Sequence, residues 1–147
     1  MIFGTSITSI LSANGMEPHN SIGTNFRNNT KIKSFPEFKY FVNCSNWVDQ
    51  TFYNSSLESV VIPAAPSNIR QATFGNCKSL KIVVFLRTTH PTTYSAFGGA
   101  ASNIKLYVPD NSLNNYISWG LGNIRSENIR TFSDFLNEYP EHSWWVM

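Results

Sequence analysis

Cys44 and Cys77 carry the most nucleophilic side chains in the chain, and they are its only cysteines. Two are too few for a disulfide framework, and neither has a His or Cys neighbour at a spacing that holds a metal ion. Both are expected to be reduced and buried, as unpaired cysteine behaves like a small apolar residue. His19, His90 and His142 stand far apart, none at a metal-binding spacing or beside a plausible Ser or Cys nucleophile motif, and are read as surface or loop histidines. The nine acidic residues offer no pair placed for general acid and base work. Gly98-Gly99 is followed by no Lys-Ser/Thr, so it suits a tight turn rather than a phosphate loop. Asn28, Asn43 and Asn54 begin Asn-x-Ser/Thr triplets, read as compositional where no secretory signal is seen. These residues predict no enzyme, no cofactor and no metal. Two binding chemistries remain: Tyr40, Tyr53 and Tyr94 are candidates for a sugar platform, although core positions account better for most aromatics. Trp144, Trp145, Val146 and Met147 form an apolar cluster suited to a protein contact.

The framework behind them is a single domain of 147 residues, 41% hydrophobic and 14% charged, with material enough for a core. A net charge of +2, with no run of like charges, makes nucleic acid a poor partner. No stretch approaches the roughly 20 apolar residues that span a bilayer, so membrane insertion is not expected. Residues 1–15 lack the basic start and small-residue cleavage site of a signal peptide. Eleven Phe, six Tyr and four Trp among many Asn, Ser and Thr point to short strands joined by many turns.

The strongest signal is internal repetition. Phe74-Gly-Asn76-Cys77-Lys-Ser-Leu80 matches Phe26-Arg-Asn28-Asn29-Thr-Lys-Ile32, and Phe52-Tyr-Asn54-Ser-Ser-Leu57 is the same word one residue shorter. Downstream, Leu57, Val60 and Ile62 correspond to Leu80, Val83 and Phe85, and then to Asn103, Leu106 and Val108, at a spacing of 23. Upstream, Trp47 stands five before Phe52 as Ile69 stands five before Phe74. A step of 25 backwards carries Ile32 and Phe35 onto Ile7 and Ile10. The Phe spacings of 26, 22 and 23 fall in the range of leucine-rich repeats. Val60 and Ile62, like Val83 and Phe85, lie two apart and so share one strand face, which stacking about 4.8 Å apart buries in ladders. Asn28, Asn54 and Asn76 fall at turns, where an inward Asn side chain satisfies stranded backbone groups. Pro63 and Pro109 stop two strands. Phe41-Val-Asn43-Cys44 also fits the word, but Phe41 is only 11 residues before Phe52, too close for a separate unit.

Three stretches resemble the BspA-like leucine-rich repeats of surface proteins from Bacteroides-type bacteria, some protists, and phages of such bacteria. They are Asn29-Thr-Lys-Ile-Lys-Ser-Phe-Pro-Glu-Phe-Lys-Tyr-Phe41, Phe74-Gly-Asn-Cys-Lys-Ser-Leu80, and Leu106-Tyr-Val-Pro-Asp-Asn-Ser-Leu-Asn-Asn-Tyr116. The resemblance covers roughly residues 20–118 and implies a right-handed solenoid, a role in adhesion or recognition, and no catalytic residues. Two departures stand out: Leu86 replaces an expected Pro, and Asn103 replaces the ladder Leu.

The expected architecture is mainly β with short helices, a right-handed leucine-rich-repeat solenoid of about four coils with a C-terminal helical cap. Residues 1–25 would form an N-terminal partial coil, 26–109 the coils, and 110–147 the cap and apolar tail. Asp110 would cap a helix with Leu113, Tyr116 and Ile117 on one face, ended by Gly120 and Gly122 and covering the open edge of the last strand. Ser133–Tyr139 would add a turn or two of helix, stopped by Pro140, and Trp144–Met147 would find no place in the core and make a contact between chains; the alternative is that the tail folds back over the Leu113, Tyr116 and Ile117 face. The expected function is a non-catalytic binding or structural module in a larger assembly, self-associating or held by a protein partner, for example in a bacteriophage virion. The alternative is an adhesion module on a bacterial surface with a protein or glycan ligand.

Overall fold

A computed structural model describes residues 21–22 and 26–147. The proposed partial coil at 1–25, with Ile7 and Ile10, and His19 therefore fall wholly or mainly outside the described residues.

Among the described residues, seven short strands follow the repeat: β1 (Ser21–Ile22), β2 (Ser34–Phe35), β3 (Asn46–Trp47), β4 (Ser59–Ile62), β5 (Ile82–Phe85), β6 (Lys105–Val108) and β7 (Ile129–Thr131). Two helices lie among them, α1 (Leu113–Ile117) and α2 (Phe132–Glu138), with 3-10 turns at Pro36–Tyr40 and Pro140–Val146. The main sheet is entirely parallel, in the order β2-β4-β5-β6-β7, and β1 pairs with β3 in a second parallel ladder. Val60 sits beside Val83, and Val83 beside Leu106, so the sheet keeps the register set by the 23-residue spacing.

The inner face of the sheet and the turns enclose one core. Phe26, Phe52, Phe74 and Phe97 stack in a column with centroids 5.2, 5.4 and 5.3 Å apart. Phe41 and Cys44 are buried in this same core, Phe41 edge-on to Phe35 and Phe38, within the unit that β2 begins. The ladder position lost at Asn103 is recovered one residue later, because Ile104 is fully buried. Leu86 uses the N–H that a proline would lack, donating to the Ile62 carbonyl at 3.1 Å.

The turns explain the Asn positions differently from the sequence expectation. Asn28, Asn54 and Asn76 have φ of 62°, 55° and 56°, a left-handed conformation that Asn tolerates better than most residues, and Gly99 takes the same slot at 73°. Their side chains do not turn inward. They run along the surface as a ladder, Asn54 Nδ2 donating to Asn28 Oδ1 at 3.0 Å and Asn76 Nδ2 to Asn54 Oδ1 at 2.6 Å. The inward task falls to the next residue: buried Asn29 Oδ1 accepts from the Lys31 and Ile32 N–H groups, and Cys77 Sγ donates to the Phe52 carbonyl.

The C-terminal end corrects two further expectations. The chain does not stop pairing at β6, because β7 joins it with Leu106 beside Ile129. Helix α1 therefore does not cover a free edge of β6; its buried Tyr116 enters the inner core and donates to the Arg87 carbonyl at 2.8 Å. Asp110 makes no side-chain cap on α1, and instead accepts from the Ser133 N–H and hydroxyl at the start of α2.

Candidate interaction surface

The outer face of the sheet is also apolar. Val61, Val84 and Tyr107 are side by side in β4, β5 and β6 and fully buried. What buries them is the segment 132–147. Thr131 and Asp134 form a reciprocal capping box at the start of α2, which fixes where the helix leaves the sheet. From there Phe135 packs edge-on to Tyr107, centroids 5.1 Å apart, and Trp145 stacks on Phe135 at 5.5 Å. Glu138 fastens the helix to the sheet: its carboxylate accepts from the Tyr107 hydroxyl at 2.6 Å and pairs with Arg130 at 3.1 Å and Lys105 at 3.9 Å. Burial and the adjacent Glu138 push the Tyr107 hydroxyl well above its ordinary pKa, so it remains a donor.

The sequence left Trp144–Met147 without a place in the core, and for Trp145 the structure corrects this: it is 4% exposed, with the His142 ring stacked on it at 4.5 Å. Val146 packs at the margin of the same cluster. Trp144 and Met147 face outward, 37% and 83% exposed. Trp144 lies parallel to the exposed Tyr40 ring, centroids 6.2 Å apart with an interplanar angle of 4°. Lys39 Nζ lies over both rings, donates to the Trp144 carbonyl, and reaches the Met147 carbonyl at 2.9 Å. Tyr40 and Trp144 thus present two rings to one ammonium, and the Met147 side chain and Val42, close by in sequence, are exposed as well.

The other candidates separate. Tyr53 closes over Gly75, where an added Cβ would meet its ring at 2.8 Å. Tyr94 is 72% exposed, and among the described residues its ring stacks on none. The His90 ring stacks on Trp119 at 5.3 Å, and the His90 backbone N–H donates to Asn115 Oδ1. Burial raises both thiols, Cys44 to about 11, which keeps them protonated. Among the described residues no group of three or more His, Cys, Asp and Glu is placed to hold a metal, and no helix is long and apolar enough to cross a membrane. Lys39, Tyr107 and Glu138 were missed by the sequence reading. Tyr107 carried a faint signal, an aromatic aligned with Val61 and Val84 at the 23-residue spacing.

A parallel sheet whose strands recur at this spacing, with an aromatic column inside and Asn turns outside, defines a leucine-rich-repeat protein. The model of the BspA type leucine-rich repeat region matches residues 47–126 in six copies, and the chain belongs to this family. The family is generally non-catalytic, and its repeats suggest a binding or structural module. No curated protein and no solved structure matches the chain.

Proposed function

We propose that the chain is a non-catalytic assembly module: a right-handed solenoid whose segment 132–147 acts as a cap and presents Trp144 and Met147 to a protein partner or a second copy. The observation that carries this reading is the exposed Tyr40–Trp144 pair with Met147 beside it. Lys39 lies over both rings, and aromatic side chains lose little freedom on binding, the property that enriches Trp and Tyr at contact centres. Trp145 is excluded from this contact because it belongs to the chain's own core. A virion is the proposed setting.

The test is size-exclusion chromatography with light scattering at micromolar concentration, alone and with proteins of the same assembly. The double variant Trp144→Ser, Met147→Ser leaves Trp145 in place; it is expected to keep its melting temperature within a few degrees while losing association. A wild-type chain that stays monomeric and binds no assembly protein overturns the proposal. Family membership favours a second reading, adhesion at a bacterial surface. Recovery of the native chain from bacterial surfaces and not from virions would select it.

A further inference from the structure

The repeat turns carry a second surface, which shares no residue with the Tyr40–Trp144 pair. Two clefts of about 330 and 320 Å³ open there, and Thr93 and Tyr94 are the residues common to both. One cleft continues along Asp49, Asn68, Arg70 and Gln71; the other runs past Ser95 to Trp119 and Asn123. Each lies at the small end of the range of roughly 300–1,000 Å³ for small-molecule sites. Tyr94 therefore stands in open solvent as a shared wall between two hollows.

The lining specifies the chemistry of an occupant. The only charged side chains in either cleft are Asp49 and Arg70, and they pair with each other at 3.1 Å. Among the described lining residues these two charges cancel, and the Arg27 guanidinium beside Asp49 is occupied by the Asp49 and Gln50 carbonyls at 2.7 and 3.3 Å, so the lining favours neither an anion nor an ammonium. Around this neutral pair stand amides and hydroxyls. Asn68 Nδ2 is engaged by Thr92 Oγ1, which leaves its carbonyl oxygen to accept from a ligand. Thr93 Oγ1 is buried and out of a ligand's reach, so the polar contacts fall to the exposed amides and hydroxyls around it. An exposed aromatic face beside many neutral donors and acceptors suits a molecule with one apolar C–H face and a rim of hydroxyls. A pyranose ring has that form. An apolar helix or strand from a protein partner does not fit, since it would bury these polar groups without replacing their water.

We infer that the clefts on either side of Tyr94 bind a neutral oligosaccharide, one pyranose stacking on the Tyr94 ring and its neighbours reaching the Asn68–Gln71 and Ser95–Asn123 sides. This adds a ligand class to the assembly role and uses none of the residues of that surface.

The experiment is titration of the full chain with trimers of glucose, N-acetylglucosamine, mannose and galactose, followed by amide chemical shifts. At least one trimer is expected to shift Gln71, Thr93, Tyr94 and Asn123. Tyr94→Ala should weaken that binding by about tenfold or more, roughly 1.4 kcal/mol, without lowering the melting temperature, and Tyr94→Phe should retain it. Trp144→Ala should change nothing, which separates this site from the assembly surface. Absence of shifts with all four trimers at about 10 mM, shifts located elsewhere, or binding unaltered in Tyr94→Ala would each overturn the inference.

Discussion

The two faces of one sheet are closed by different means. Inside, every unit supplies the same parts, so Phe26, Phe52, Phe74 and Phe97 cover one another and no residue from outside the repeat is needed for the column. Outside, Val61, Val84 and Tyr107 are covered by a segment that occurs once, and polar groups gathered on Glu138 hold it in place. The inner face draws its stability from repetition, and the outer face from a single docking event.

The contrast is sharpest at Phe74, which has a stacked ring on either side. Phe74→Ala should cost about 3–5 kcal/mol in urea unfolding, a large part of the roughly 5–15 kcal/mol that holds a small domain. A loss below about 1 kcal/mol would mean that the column is not a unit. Trp145→Ala should cost about 3 kcal/mol, since its ring covers Phe135 at the edge of the fold. Here the expected signature is selective: hydrogen exchange should accelerate in α2 while β4 and β5 stay protected, and uniform acceleration would show that the two faces unfold together.

Smaller effects test the fastenings. Tyr107→Phe keeps the ring against Phe135 and removes only the donor to Glu138, so thermal or urea melts should show a loss of about 1–2 kcal/mol. Asp110→Asn should cost less than about 1 kcal/mol, because the site is solvent-exposed. The hydroxyl and then the N–H of Ser133 hold the Asp110 carboxyl below its ordinary pKa, and Thr131 does the same for Asp134. A carboxylate with a lowered folded pKa contributes stability that is present above the ordinary aspartate value of about 3.9 and vanishes as pH falls through the folded value. The difference between Asp110→Asn and the parent should therefore be full at neutral pH and close in acid. A difference independent of pH would show that the charge plays no part.

The inner face was legible because its information is written several times. The Phe words and the Val60, Val83 and Leu106 positions predict the register that the sheet adopts, and Ser133–Tyr139 anticipates α2 within a residue. The outer cover was not legible, because a segment present once has no second copy to compare. One cue was available: Val60-Val61-Ile62 and Ile82-Val83-Val84-Phe85 are continuous apolar runs, the mark of strands buried on both faces. Strand β7 escaped notice since Ile129-Arg-Thr offers a single apolar residue, and its place is set by the backbone pairing it makes with β6.

The segment that begins at β7 and ends against Lys39 also measures the sheet. It leaves from the last strand, and its carbonyls at Trp144 and Met147 are held by a lysine in the turn directly after β2, the first strand in the order. The repeats by themselves set no limit to their number, since a duplicated stretch of 23 residues would pair as well as its parent. Each added strand would widen the sheet by about 4.8 Å and carry Lys39 and Tyr40 out of reach of Trp144 and Met147. A segment of fixed length thus works as a gauge: its bonds to Lys39 fit a sheet of this width, and one unit more or fewer would break them.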